Sequence, residues 1–339
     1  MSWFIFALIC MLGWGFADLF YKKSTDNSDR YSHLKIAVWV GLVMGVCALG
    51  FLPFSETLKD GSTIDFAVNA AKYLPASLGY IISMVIGYAG LRYLELSIVS
   101  PVQNASGALS AIAMSVFFII TSQNALESIS DETGFTFGTV SGLPLLNNIL
   151  IVCGVLTIVV GVILLAAVEQ KLSKDEADLP KEKRKYRFGA LALLFPLLYC
   201  VFDTLGTAAD GIILDEESGL GLGEIDVIIL YGLTFFLAGL AAWIFLLIRE
   251  KKPYNPFSAK ERGKGVAAVC EEFGQIFYVY AMAEKPVLAA PMVASYCIVS
   301  VLLSRIFLKE KLKPSQYACV FAVIAGILML GISEGIGEL

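Results

Sequence analysis

Charge and histidine are scarce in this 339-residue chain: 16% of its residues are charged and one, His33, is a histidine. A lone histidine leaves little for acid–base chemistry. No HExxH zinc helix, GxSxG elbow or phosphate-cradling P-loop occurs either, so an enzyme is the poorest of the functional classes. The seven cysteines (Cys10, Cys47, Cys153, Cys200, Cys270, Cys297, Cys319) fall singly in apolar stretches without a CxxC spacing. They read as packing residues, and no disulfide framework, metal site or other cofactor is expected. A basic leader and an A-x-A-like cleavage site are missing from MSWFIFALICMLGWGFADLFYKK, which therefore reads as a retained first helix. No nucleic-acid-binding stretch stands out.

Apolar residues are abundant: 57% of the chain is hydrophobic and the mean hydropathy is +0.75. A spanning helix needs roughly 20 apolar residues. Ten such stretches are present, near 2–21, 33–54, 72–91, 98–120, 147–168, 188–208, 226–248, 265–283, 288–307 and 315–333. The expected fold class is an all-α polytopic membrane protein with ten transmembrane helices, in contact with the lipid bilayer as a monomer or homodimer. Lys and Arg concentrate in cytoplasmic loops. On this map 22 of the 25 basic residues follow odd-numbered helices, leaving Lys59, Lys72 and Lys285 on the other side. The poor side also carries the acidic loops 121–146 (Glu127, Asp131, Glu132) and 209–225 (Asp210, Asp215, Glu216, Glu217, Glu224). A multi-pass protein of the cytoplasmic membrane with both termini outside the cytoplasm is predicted.

Two correspondences suggest duplication. Tyr88–Pro101 (YAGLRYLELSIVSP) and Tyr278–Pro291 (YVYAMAEKPVLAAP), 190 residues apart, each end one helix and open the next on a Pro, where a missing N–H costs little. Trp14 and Asp18 correspond to Tyr199 and Asp203 at an offset of 185, an aromatic and an Asp at i, i+4 on one helix face. Five helices per half is an odd number, so the second half enters the membrane from the opposite side. The expected domains are two inverted five-helix repeats, 1–170 and 171–339. Inverted repeats are frequent in secondary transporters, with the substrate near the midplane between them.

The run AMAEKPVLAAPMVASYCIVSVLLSRIFLKEKLKPSQYACVFAVIAGILML resembles the C-terminal signature of the EamA-like, ten-helix branch of the drug/metabolite transporter superfamily. Its recognisable parts are the Ala-rich turn into Pro291, the LKEKLKPSQ connector from Leu308 to Gln316 and the last helix with Gly326; residues 121 onward show no second LKEKL connector. The resemblance implies a secondary transporter of amino acids or another small polar or amphipathic metabolite, working by alternating access, with export and proton coupling as open possibilities. A channel or a lipid-carrier flippase would share such a bundle, but a flippase calls for a basic pocket whereas the deep charges here are acidic.

An ionised group at the centre of a spanning helix costs roughly 2.5–3.5 kcal/mol on insertion scales, so such residues need a reason. Glu271 and Glu272 lie about two turns into the eighth helix. Glu271, Gln275 and Tyr278 share one stripe facing the interior, and Glu272 points about 100° away. They are candidates for binding a cationic group or carrying a proton; the alternative is a later helix start that leaves both at the headgroups. Trp14, Asp18, Tyr199 and Asp203, near the ends of helices one and six, suit gates at opposite faces, although an i, i+4 pair of Asp18 with Lys22 explains that residue equally well. Gln103, Asn104 and Ser106 on helix four and Tyr296 on helix nine are candidate cavity-lining groups. Small residues at such spacing also serve close packing, as GLVMG at 41–45 illustrates.

Overall fold

The computed structural model describes residues 2–26, 28–60, 63–94, 96–121, 130, 133–136, 142–177, 194–215, 221–250, 254–309 and 313–337. These residues are helical apart from turns. The first half comprises α1 (Trp3–Ser24), α2 (Ser32–Phe51), the short α3 (Glu56–Asp60), α4 (Thr63–Gly90), α5 (Leu96–Gln103), α6 (Ser106–Thr121) and α7 (Leu143–Ala177). The second comprises α8 (Leu194–Leu214), α9 (Glu224–Arg249), α10 (Arg262–Glu284), α11 (Pro286–Ala294), α12 (Cys297–Leu303) and α13 (Pro314–Gly337). Among the described residues, eight segments are long and apolar enough to cross a membrane. They are α1, α2 through Phe54, α4, Val99–Thr121, Leu143–Leu164, α8, α9 and Pro286–Leu308. The chain is a multi-pass, all-α membrane protein. Helix α10 has the length but not the composition, since it carries Lys264, Glu271, Glu272 and Gln275. It packs against both α1 and α2, and all four of these groups are buried.

Neighbour relations repeat when the halves are exchanged. α1 packs on α10 as α8 packs on α4, α1 meets α12 as α8 meets α6, and the pairs α2/α9, α6/α11 and α7/α13 join equivalent helices. Lipid tails are as apolar as leucine, so helices associate where small residues let backbones approach. The crossings fall at such residues: Gly13 against Gly274, Gly41 against Gly239, Gly79 against Gly206, Gly107 against Ala290 and Gly154 against Gly326. One of the tightest involves the GLVMG segment, where a Cβ on Gly41 would lie 2.6 Å from the Phe235 carbonyl oxygen and 2.8 Å from the Gly239 Cα. Backbone cannot step aside as a side chain can. Gly41→Ala is expected to destabilise the bundle by about 1–3 kcal/mol, read as a lower melting temperature in detergent, whereas Gly50→Ala, with nothing within 4 Å, leaves it unchanged.

The fourth helix of each half is broken at the same place. α5 stops at Gln103 and α6 resumes at Ser106; α11 stops at Ala294 and α12 resumes at Cys297. Pro101 and Pro291 do not open these helices but sit inside them, each at the sixth residue. A proline removes one amide donor and crowds the preceding turn, so the helix yields shortly afterwards. Side chains at the breaks bond back to the turn before them: Asn104 Nδ2 donates to Ser100 O at 2.8 Å, and Ser295 Oγ to Met292 O at 2.5 Å.

Basic and acidic connections gather at opposite ends. At one end Lys22 Nζ donates to the Leu91 and Leu94 carbonyls, Arg92 to the Arg30 carbonyl, Lys35 pairs with Asp29 and Glu250, and Lys260 with Asp26. At the other, Asp226 accepts from Ser55 and Thr57, tying the α2–α4 connection to the start of α9, and Glu284 accepts the Trp3 amide. Glu95, Glu127, Asp131, Glu132, Glu216, Glu217, the basic segment 178–187 and the centre of the LKEKL connector, 310–312, lie outside the described residues.

Candidate functional site

A cavity of about 70 Å³, room for several water molecules, lies where α1, α4, α8 and α10 meet the broken helices. The structure brings Trp14, Asp18, Gln103, Asn104, Ser106, Tyr199, Asp203, Glu271, Gln275, Tyr278 and Tyr296 to its wall. Both halves therefore contribute. Glu272 does not line it. Buried at 6% exposure, it faces α2 from the other side of α10, with Cys47 as its neighbour, as the 100° step between consecutive residues requires.

Asp18 and Asp203 do not stand at opposite ends of the bundle. Helix α1 runs on to Ser24 and α8 begins at Leu194, so Asp18 sits nearly two turns inside its helix and Asp203 near the middle of its own. Both reach the same cavity as Glu271. Asp18 Oδ2 accepts from Ser100 Oγ at 2.8 Å and from Ser300 Oγ at 2.7 Å, one hydroxyl from each broken helix. It does not pair with Lys22, whose ammonium serves carbonyls at the end of α4. Asp203 Oδ2 accepts from Ser106 Oγ at 2.6 Å. Glu271 is held by the hydroxyls of Tyr21 and Tyr88, the latter at 3.0 Å to Oε2.

These three carboxyls are hydrogen-bonded only to neutral hydroxyls. Among the described residues none forms an ion pair, and no Lys, Arg or His lines the cavity. Around them stand Trp14 and seven tyrosines: Tyr21, Tyr80, Tyr88, Tyr199, Tyr231, Tyr278 and Tyr296. The Trp14 ring centre is 5.2 Å from that of Tyr278 and 5.5 Å from that of Tyr296, and its indole N–H donates to the Glu271 carbonyl at 3.2 Å. Such a wall attracts cations through both carboxylate charge and aromatic quadrupole. Gln103 Nε2 and Gln275 Nε2 are buried without a hydrogen-bond partner. Unspent buried donors are costly, and these two are placed to meet an acceptor on a guest molecule.

Sequence reasoning passed over Tyr21, Tyr80, Tyr88 and Tyr231, and assigned Asp210 to a loop. Asp210 instead belongs to the last turn of α8 and is fully buried. The helical signal is the recurrence of Tyr199, Asp203 and Asp210 at i, i+4 and i+11, one face of a helix that runs past residue 208 to Leu214.

No curated protein matches the chain. A protein of known crystal structure aligns over 97% of this chain and 96% of its own length with a TM-score of 0.54 and 11% identity, a likeness of fold alone. Residues 218–332 match the EamA-like transporter family, whose members are membrane transporters of small molecules. That segment includes α9 to α12 and most of α13, and supplies Glu271, Gln275, Tyr278 and Tyr296 to the cavity. By this match residues 218–332 are similar to the EamA-like transporter family, part of the drug/metabolite transporter superfamily.

Proposed function

We propose that the protein is a secondary carrier for a small amine-bearing metabolite, binding it in the central cavity and exposing it alternately to the two sides of the membrane. The observation that carries this reading is the set of three carboxyls without cations, walled by aromatics and flanked by two unpartnered amide donors. An ammonium group meets Asp18, Asp203 or Glu271, and a hydroxyl, carbonyl or carboxylate on the same molecule meets Gln103 or Gln275. Amino-acid-like amines satisfy both requirements.

Exchange of neighbours between the halves supports two inverted repeats, 1–170 and 171–339, with α10 and α13 completing ten spans. A cavity shared by two similar halves, and lined by helices broken at equivalent positions, suits alternating access by rocking of one half against the other. Trp14 with Asp18 and Tyr199 with Asp203, on α1 and α8, are then moving walls of the cavity. The clustering of Lys and Arg connections at one end favours that end as the cytoplasmic one, with both termini outside.

A thermal-shift screen of the purified protein against amines, amino acids, sugars, nucleosides and organic anions tests the assignment. Ligands that bind only the folded state raise its apparent stability by mass action. Amines and amino acids are expected to raise the melting temperature; stabilisation by sugars or organic anions alone overturns the amine reading.

A further inference from the structure

Behind the cavity lies a carboxyl that substrate binding does not use. Asp210 is fully buried in α8, and its Oδ1 has no hydrogen-bond partner. Its Oδ2 accepts a long bond, 3.4 Å, from the Tyr80 hydroxyl, which is 2.6 Å from the Tyr278 hydroxyl and 3.3 Å from Thr207 Oγ1. Tyr80, Tyr278 and Thr207 line the cavity; Asp210 does not. Tyr73, also fully buried, turns its hydroxyl towards the same carboxyl without closing a hydrogen bond.

We infer that Asp210 is a proton-binding site coupled to the transport cavity through the Tyr80–Tyr278 hydroxyl pair.

The surroundings favour a proton over other cations. Facing Asp210 are Tyr73 and Tyr80 from α4, Tyr278 from α10 and Tyr231 from α9, with Asp203 two turns away on its own helix. From the α6 and α11 side, Met114 and Pro286 close over Gly211. No basic group pairs with it among the described residues, and no cluster of His, Cys, Asp or Glu there holds a metal ion. A buried carboxylate so placed lacks a compensating charge, and a proton neutralises it without the ring of oxygen ligands that a metal cation demands. The hydroxyl pair supplies the path. Tyr80 passes its hydrogen to Asp210 Oδ2 and takes one from Tyr278, which is reprotonated by a hydronium in the cavity; one carboxylic acid and one water result. Loss of the proton runs the same steps backwards.

The consequence for transport rests on the carrier reading above, but the site itself does not, and the experiment separates them. The full-length protein in detergent is taken from acid to alkaline pH and the protons released are counted with a soluble indicator. Asp210→Asn is expected to release about one proton fewer per chain than the wild type, with Asp210→Glu restoring it; equal release from Asn and wild type overturns the site. Should the Asn variant not fold, Tyr73→Phe reads the same group. It shifts the pH at which that proton leaves if Asp210 titrates, and leaves the release curve unmoved if it does not. In proteoliposomes with choline as the probe, wild-type exchange is expected to move protons. Asp210→Asn is expected to keep choline exchange with proton movement lost, and persistence of that movement overturns the coupling. Wild-type liposomes that move no choline count against the amine-carrier reading, while the proton count still decides Asp210.

Discussion

Glu271→Gln is expected to abolish stabilisation by amines and to raise their Kd roughly thirtyfold or more. The side chain is 5% exposed, and the hydroxyls of Tyr21 and Tyr88 aim it into the cavity. Truncating one partner of a desolvated charge pair costs on the order of 2–5 kcal/mol, at about 1.4 kcal/mol per tenfold. Glutamine keeps the shape and one acceptor while removing the charge, so folding is expected to survive and binding is not. Glu272→Gln is the control. One residue along the same helix but outside the cavity, it is expected to alter affinity less than threefold. Isothermal titration of both variants with the best amine from the thermal-shift screen checks the contrast, and equal losses contradict it.

The second large effect comes from packing. A Cβ on Gly274 would lie 2.4 Å from Cδ1 and 2.7 Å from Nε1 of Trp14, so Gly274→Ala pushes the indole away from the α10 backbone and against the Tyr278 and Tyr296 rings. Trp14 already fills one wall of the cavity, and its displacement closes the space a substrate needs. Uptake is expected to fall at least tenfold. The same alanine combined with Trp14→Ala removes the clashing ring altogether, and the double variant is expected to lose no more than Trp14→Ala alone. Contacting side chains couple by about 0.5–3 kcal/mol in double-mutant cycles; additive losses in the cycle contradict the steric account. Radiolabelled uptake in cells, normalised to protein at the membrane, provides the measurement.

Which parts of this architecture can be read from the residues follows from how each signal arises. Long apolar stretches are imposed by lipid, and the spans of α2 and α9 stand where hydropathy puts them. The i, i+4 pairing of Trp14 with Asp18 and Tyr199 with Asp203, 185 residues apart, survives as two matching sides of one cavity. Depth along a helix was harder. An Asp near the end of an apolar run reads as a gate or an anchor, and only a shift of several residues in the bounds of α1 and α8 brings Asp18 and Asp203 together. The same shift takes Asp210 from a loop into the buried turn of α8. Pro101 and Pro291 were visible as a repeat, but a proline inside a helix and one at its start look alike in sequence; only the broken backbone beside Asn104 and Tyr296 distinguishes them. Tyrosines such as Tyr21 and Tyr88 carry no mark of their own, because the neighbour that gives them a role, Glu271, is brought to them by folding.

Counterflow in proteoliposomes most directly tests whether this cavity carries amines. Vesicles loaded with unlabelled choline and diluted into a trace of labelled choline are expected to accumulate label transiently above equilibrium, with saturating initial rates, and Glu271→Gln vesicles to accumulate none. Flux that rises linearly with concentration without transient accumulation would indicate a channel and contradict the account.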